Sequence, residues 1–227
     1  MKYHRVFRWS AYILGALALL FFLFINFFPV KMFFNDVIFR STRIYDRNGI
    51  LLYETLHPDQ GKTTEVRLDQ LPKYLIQATI ATEDQNFYSN SGVDIGGIAR
   101  AILSNISEGE VVSGASTITQ QLVRNVMGTS KKRTILQKMT ESLLALRTTK
   151  AFTKDQILQM YFNKIYYGNL NYGVAAASHG YFGKEISGLD LAESAFLAGL
   201  PQAPNRYNPF EHHEDALKRK DYVLLSM

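Results

Sequence analysis

The chain has 227 residues, 47% of them hydrophobic, and a formal net charge of +5, of which residues 1–40 contribute +4 and residues 41–227 only +1. A folded part so nearly neutral lacks the broad basic face of a nucleic-acid binder, and no nucleic-acid partner is expected. With no cysteine in the sequence, disulfides, zinc–thiolate sites and thiol nucleophiles are excluded as well.

The first element is apolar. Ser10 to Val30, "SAYILGALALLFFLFINFFPV", runs 21 residues without a charge. At ~1.5 Å per residue that crosses a hydrocarbon core of ~30 Å. Lys2, Arg5 and Arg8 precede it with no acid among them, which places residues 1–9 in the cytoplasm by the positive-inside rule. A cleaved signal peptide has a shorter apolar region and a small-residue cleavage site, and "FFPVKMFF" offers no such site. The expectation is one transmembrane helix over 10–30, a membrane-proximal segment over 31–56 and one folded domain over 57–227.

Next, "STRIYDRNGILLYET" sets two alternating runs on either side of Asp46-Arg47-Asn48-Gly49, which predicts a β-hairpin. "HPDQGKTTEVRLDQLP" follows as a polar connector. From Pro72 the pattern is helical, with elements predicted over 73–88, 94–106, 116–127, 132–149, 154–164, 172–181, 190–199 and 212–226. The fold class expected is mainly α.

The helix over 73–88 carries an anomaly in "ATEDQNFYSNSG". Ile76, Thr79, Ile80, Glu83 and Phe87 fall within about 80° of one another, so Glu83 sits inside the apolar stripe and Asp84 one step off it. A carboxylate there is costly unless it is partnered, hydrogen-bonded or lining a cleft. Desolvation raises its pKa and suits proton transfer near neutral pH. A Glu capping a neighbouring helix or pairing with a buried Arg would occupy the same place, and this helix alone does not choose.

In "GASTITQQL", residues 114–122, Thr117 and Gln120 fit a capping box. Such a helix start can present backbone N–H groups to a phosphate, or simply be an ordinary capped helix. Between Arg124 and Lys154 lie eight basic residues (Arg124, Lys131, Lys132, Arg133, Lys138, Arg147, Lys150, Lys154) against a single acid, Glu141. That local excess points to an anionic substrate. Glu141 falls off the stripe of Ile135, Leu136, Met139, Leu143 and Leu146, so periodicity predicts a surface residue in a weak pair with Lys138. The loop from Tyr166 to Gly173 is rich in Tyr, Asn and Gly, types used in sugar recognition and in packed turns alike.

Taken in order, these segments resemble the peptidoglycan glycosyltransferases of family 51, found in class A penicillin-binding proteins and in monofunctional cell-wall polymerases. The first motif of that family, Glu-Asp-x-x-Phe-x-x-His-x-Gly, matches at Glu83, Asp84, Phe87 and Gly92. The second, Gly-x-Ser-Thr-Ile-Thr-Gln-Gln-Leu, is complete from Gly114 to Leu122. The third, Arg-Lys-x-x-Glu, reads "QKMTE" with Lys138 and Glu141. The fourth, Lys-x-x-Ile-Leu-x-x-Tyr-x-Asn, is complete from Lys154 to Asn163, and the fifth, Arg-x-x-x-Val-Leu, falls on Arg219, Val223 and Leu224. The match runs from about residue 43 to the last residue. Two departures stand out: Asn90 where the family has His, and Gln137 where it has Arg, a lost positive charge that Arg133 would compensate.

The resemblance implies a lysozyme-like helical fold with a second lobe at the membrane. It implies polymerisation of lipid II, a disaccharide-peptide on undecaprenyl diphosphate, at the bacterial inner membrane. The chain would cross that membrane once, with the catalytic domain outside. By similarity Glu83 is the general base, and Glu141 acts on the leaving-group side, through a divalent ion or by ordering the basic residues. Lys138 and Arg147 are candidates for the diphosphate. Asp84, Phe87, Ser116, Thr117, Thr119, Gln120, Gln121 and Asn163 complete the implied substrate-binding set. The implied cofactor is a divalent cation, Mg or Mn. The implied partners are lipid II, the growing glycan chain, membrane lipid and other cell-wall synthesis proteins. Two other classes share features with this reading: a glycan-cleaving lysozyme-like hydrolase, which has no need of the basic cluster, and a weakly catalytic membrane-anchored assembly module. No Ser is followed by Lys three positions on, so the nucleophile motif of a transpeptidase is absent from these residues.

Overall fold

The computed structural model describes residues 2–35, 43–48, 51–54, 62–97, 116–128 and 134–227. Helix α1, Lys2–Phe27, is 26 residues long, or roughly 39 Å. Trp9, Leu14, Leu20 and Phe22 on it are all more than half exposed. Among the described residues no helix is long and apolar enough to cross a membrane. The side chains of residues 2–8 and 11 lie outside that description, and the uncharged run of the sequence passes through position 11. The far end of α1 is docked on the domain: Val30 and Phe34, the latter in the short helix α2 (Met32–Asn35), join the main core.

Strand β1 (Arg43–Tyr45) pairs antiparallel with β2 (Leu51–Glu54), Ile44 opposite Tyr53. Strand β3 (Lys62–Thr63) pairs parallel with β4 (Asn171–Tyr172). The rest of the regular structure among the described residues is helical and includes α3 Lys73–Glu83, α4 Ile118–Val126, α5 Ile135–Ala151, α6 Lys154–Lys164, α7 Val174–Phe182, α8 Leu191–Gly199 and α9 His213–Ser226.

The starts of α4, α5 and α6 are written in the sequence in one form, Thr-x-x-Gln. Thr117, Thr134 and Thr153 each accept a hydrogen bond from the backbone N–H of the Gln three residues on, and each Gln side chain returns one. Helix α8 uses the acidic version, Asp190 with Glu193. Gln137 is therefore the cap of α5: its Oε1 accepts from Thr134 N–H at 2.9 Å. A guanidinium has no acceptor and could not make that bond, so the missing positive charge is exchanged for a closed helix end.

Helix α4 packs between α5 and α6, and α8 between α3 and α9. The main core gathers Leu75, Phe87, Ile118, Leu122, Ile157, Leu158, Tyr161, Phe162, Leu197 and Leu200, all at 0–1% exposure. Helix α3, expected to reach residue 88, ends at Glu83 because Asp84 is extended, φ −163°. The element expected over 94–106 lies largely outside the described residues, as do Lys131, Lys132 and Arg133.

Gly92 sets the distance between the loop after α3 and helix α5. Its φ is +98°, and a Cβ there would stand 2.4 Å from Thr149 Oγ1 and 2.6 Å from the Ala145 carbonyl oxygen. Neither the left-handed backbone nor contact with a helix carbonyl tolerates a side chain. Gly92→Val is expected to cost about 1–3 kcal/mol by overpacking alone, seen as a lower thermal midpoint in circular dichroism.

Candidate active site

Two neighbouring carboxylates are buried where α3 stops. Glu83 is its last residue, and its side chain is only 7% exposed. Its Oε2 accepts a hydrogen bond of 2.6 Å from Gln121 Nε2, and its Oε1 faces Arg219 Nη2 at 3.4 Å. The Gln121 amide is itself oriented: the Tyr161 hydroxyl donates to its Oε1 at 3.3 Å, which leaves the NH2 group for the carboxylate. Burial pushes the Glu83 carboxyl above its ordinary value, while the Gln121 hydrogen bond and the charges of Arg219 and Arg124 pull it partly back.

Arg219 comes from α9. Its guanidinium lies over the rings of Tyr207 and Tyr222, at 5.7 and 5.0 Å, and its Nε donates to the Gly199 carbonyl at 3.1 Å. Gly199 permits the close approach, since a Cβ there would stand 2.9 Å from Arg219 Cγ.

Asp84 turns away from Glu83. Its Oδ2 accepts from the Ile118 N–H at 3.1 Å, and both its oxygens accept from Asn90 Nδ2, at 2.8 and 3.1 Å. Burial raises its carboxyl too, with the Asn90 and Ile118 hydrogen bonds and the Lys154 charge opposing. Asp84 thereby caps α4 from outside, beside the Thr117–Gln120 box. The helix start expected to offer donors to a phosphate has its Thr117, Ile118 and Gln120 N–H groups taken by the chain's own side chains.

Successive residues of α4 connect different helices. Gln121 reaches Glu83, while Gln120 Nε2 donates to Ser142 Oγ of α5 at 2.8 Å. Glu83 and Ser142 are thus tied to neighbouring residues of α4. One turn earlier on α5, Lys138 Nζ donates to Ser116 Oγ at 2.7 Å, which brings a cation of the basic segment to the N-terminal end of α4.

Glu141 corrects the periodicity reading. It is fully buried, while Ile135, Leu136 and Met139 of the supposed core stripe are 83%, 73% and 58% exposed. The face of α5 that packs is Glu141, Leu144, Ala145 and Thr148, spaced i, i+3, i+4, i+7. Because two of those four are polar, hydrophobicity points to the wrong face.

Other expected substrate contacts are structural ties. Arg147 does not join the site: its Nε donates to the Phe28 carbonyl at 2.9 Å, just past the end of α1. Asn163 binds both the N–H and the C=O of Val66 at 2.8 Å, which fastens the segment after β3 to α6. Phe87, Thr119 and Gln120 are at 0% exposure and Thr117 at 2%, so none presents a surface to a ligand. Of the expected set, the structure brings Glu83 and Gln121 together, and Ser116 and Lys138. It adds Arg219, Arg124 and Tyr161, which sequence reasoning left outside the site. Arg219 and Tyr161 were legible only as motif members, and Arg124 only as part of a charge cluster. Among the described residues no group of three or more His, Asp or Glu side chains is placed to hold a metal ion.

Residues 48–227 match the family model described as Transglycosylase. The chain is 44% identical over 188 residues to penicillin-binding protein 1A of Aquifex aeolicus, covering 83% of this chain and 25% of that protein. Against penicillin-binding protein 1A of Neisseria flavescens it is 47% identical over 161 residues, 71% of this chain and 20% of that protein. The crystal structure of penicillin-binding protein 1A from Haemophilus influenzae aligns with a TM-score of 0.46 at 26% identity, over 84% of this chain and 18% of that one. This chain belongs to the transglycosylase family. It spans a quarter or less of the length of these relatives.

The Glu83 environment sets a sign for stability against pH. A carboxyl whose folded-state pKa is raised binds its proton more tightly when folded, so stability falls as pH rises from about the ordinary value of 4.5 through the folded value. Glu83→Gln carries no such loss. Its thermal midpoint is expected to exceed that of the wild type at pH 7–8, with the gap closing as pH falls toward 4.5, measured by calorimetry across that range.

Proposed function

We propose that this chain is a peptidoglycan glycosyltransferase that polymerises lipid II with inversion at the anomeric carbon and releases undecaprenyl diphosphate. The observation that carries the reading is the buried Glu83 carboxylate, held between Gln121 of α4 and Arg219 of α9, with Lys138 bound to Ser116 at the start of α4. In the reaction the 4-hydroxyl oxygen of the acceptor sugar bonds to the anomeric carbon of the lipid-linked chain. The bond from that carbon to the diphosphate oxygen breaks, and the hydroxyl proton goes to Glu83. A desolvated carboxylate is a stronger base than one in water, which is what the step requires. Gln121 and Arg219 hold it in one rotamer, and both already donate to it.

Negative charge grows on the departing diphosphate, and fixed cations facing it stabilise the transition state. Lys138 is the described residue suited to this. Glu141, buried on the same helix, acts on this leaving-group side by ordering the basic residues or through a divalent ion. Dependence on a divalent cation belongs to the same proposal and is read by running the assay in EDTA and in added Mg or Mn.

In this reading α1 is the single membrane anchor, N-terminus cytoplasmic and catalytic domain outside, which confines enzyme and polyprenyl substrate to one leaflet. The length of α1, its exposed apolar side chains and the basic residues before them support it. The exposed Ile135, Leu136 and Met139 add apolar surface to α5, the helix against which α1 packs.

Purified full chain in detergent, given lipid II, is expected to yield glycan strands by gel electrophoresis. Glu83→Gln should lose roughly 10²–10⁴-fold in turnover, the scale of a lost general base, while remaining folded; unchanged turnover would remove Glu83 from the mechanism. Lys138→Met should lose roughly 10²–10³-fold. Arg147→Met should leave the KM for lipid II unchanged, because its Nε is bound to the Phe28 carbonyl just past the end of α1.

A further inference from the structure

Asn90 occupies a crossing of charges. Its Nδ2 donates to both oxygens of Asp84, at 2.8 and 3.1 Å. Its Oδ1 accepts from Lys154 Nζ at 3.1 Å and from the Gly92 N–H at 2.9 Å. The amide can stand only one way round: turned over, it would set NH2 against an ammonium and an N–H, and C=O against a carboxylate. Lys154 is fixed from a second side, over the face of Phe87 at 4.7 Å. The loop after α3, the first residue of α6 and the start of α4 thus meet through this one side chain, since Asp84 also accepts from Ile118.

We propose that Asn90 is a positioning residue: it fastens Asp84 to Lys154 through a group that no proton can switch, and so keeps the α4 start, with Gln121 and Glu83, in one geometry as the exterior pH changes. The charged groups around it are Asp84 from the end of α3, Lys154 from α6 and Asp94 from its own loop, whose charge acts on Asp84. Asp155 lies next to Lys154 and is bound to the Tyr88 hydroxyl at 3.3 Å. The helix end at Ile118 adds positive polarity. Two of these charges must be bridged by a residue that donates toward Asp84 and accepts from Lys154.

A neutral imidazole meets both demands, one ring nitrogen donating and the other accepting. A protonated imidazole meets only the first, and places a second cation against Lys154. An amide meets both at every pH. The proton-independent joint comes from the same position at which this chain departs from its motif.

The test is Asn90→His, with Asn90→Leu beside it, in the full chain across pH 5.5–8. The activity arm rests on the glycosyltransferase reading, and the thermal midpoint without substrate does not. The Asn90→His to wild-type ratio of kcat is expected to be near 1 at pH 8. It should fall by about tenfold at pH 5.5, following an imidazole with a pKa near 6.5, while KM for lipid II stays within about twofold. The difference in thermal midpoint between the two should open over the same pH range. Asn90→Leu, which bridges nothing, is expected to be impaired at all pH values. A ratio and a midpoint difference that stay flat with pH, or an Asn90→Leu enzyme with wild-type kcat, would overturn the proposal. Were wild type itself to make no glycan, the function would be wrong while the midpoint arm still judged the joint.

Discussion

Burial of two adjacent carboxylates at the point where α3 ends is the constraint on which the rest of this domain depends. Neither can be left without donors in a low-dielectric surrounding. No single helix supplies those donors. Glu83 takes them from Gln121 of α4 and Arg219 of α9, while Asp84 takes them from the α4 backbone and from Asn90, which is in turn held by Lys154 of α6. Four helices are brought into register by one dipeptide. The abrupt change of backbone at Asp84 makes this possible by sending consecutive side chains to different neighbours.

The same arrangement sets how strongly the Glu83 carboxylate holds a proton. Burial raises the Glu83 carboxyl, and the donors around it oppose that rise without a tight ion pair. The guanidinium of Arg219 stands at 3.4 Å, held back by its Nε hydrogen bond to the Gly199 carbonyl and its position over two tyrosine rings. A closer bidentate pair would hold the carboxylate ionised more firmly and leave it a weaker base. Tyr161 acts one step further out by fixing which end of the Gln121 amide faces the carboxylate.

Both departures from the family's motifs have a local physical role. Gln137 closes the first turn of α5, which an arginine could not do, and Asn90 joins two charges of opposite sign through one amide. Neither position is vacant or merely tolerated. The basic segment, by contrast, is less of a unit than its composition implies. Lys138 reaches Ser116, Arg124 acts on Glu83, Lys154 is bound to Asn90, and Arg147 caps the end of the first helix.

What could be read from the sequence was whatever local spacing encodes. The Thr117–Gln120 spacing located the start of α4 to within a few residues, because a capping box is closed by residues three apart; α5 and α6 were placed by periodicity, and their starts carry the same Thr-x-x-Gln spacing. The place of Glu83 on a stripe with Ile76, Thr79 and Ile80 foretold its burial, because those four residues share one helix, although Phe87 of the expected stripe lies past its end. The face of α5 was misread because burial there is decided by what packs against it. With Glu141 and Thr148 among the four packed residues, no hydrophobicity pattern within α5 could reveal it. The partners of Glu83 and Asp84 were equally beyond reach: Gln121, Arg219 and Asn90 stand 38, 136 and 6 positions away from the carboxylates they serve. The sequence determined the helices and the family; only the tertiary structure decided which polar side chains meet, because the cost of burying a charge is settled by neighbours from other helices and not by its own.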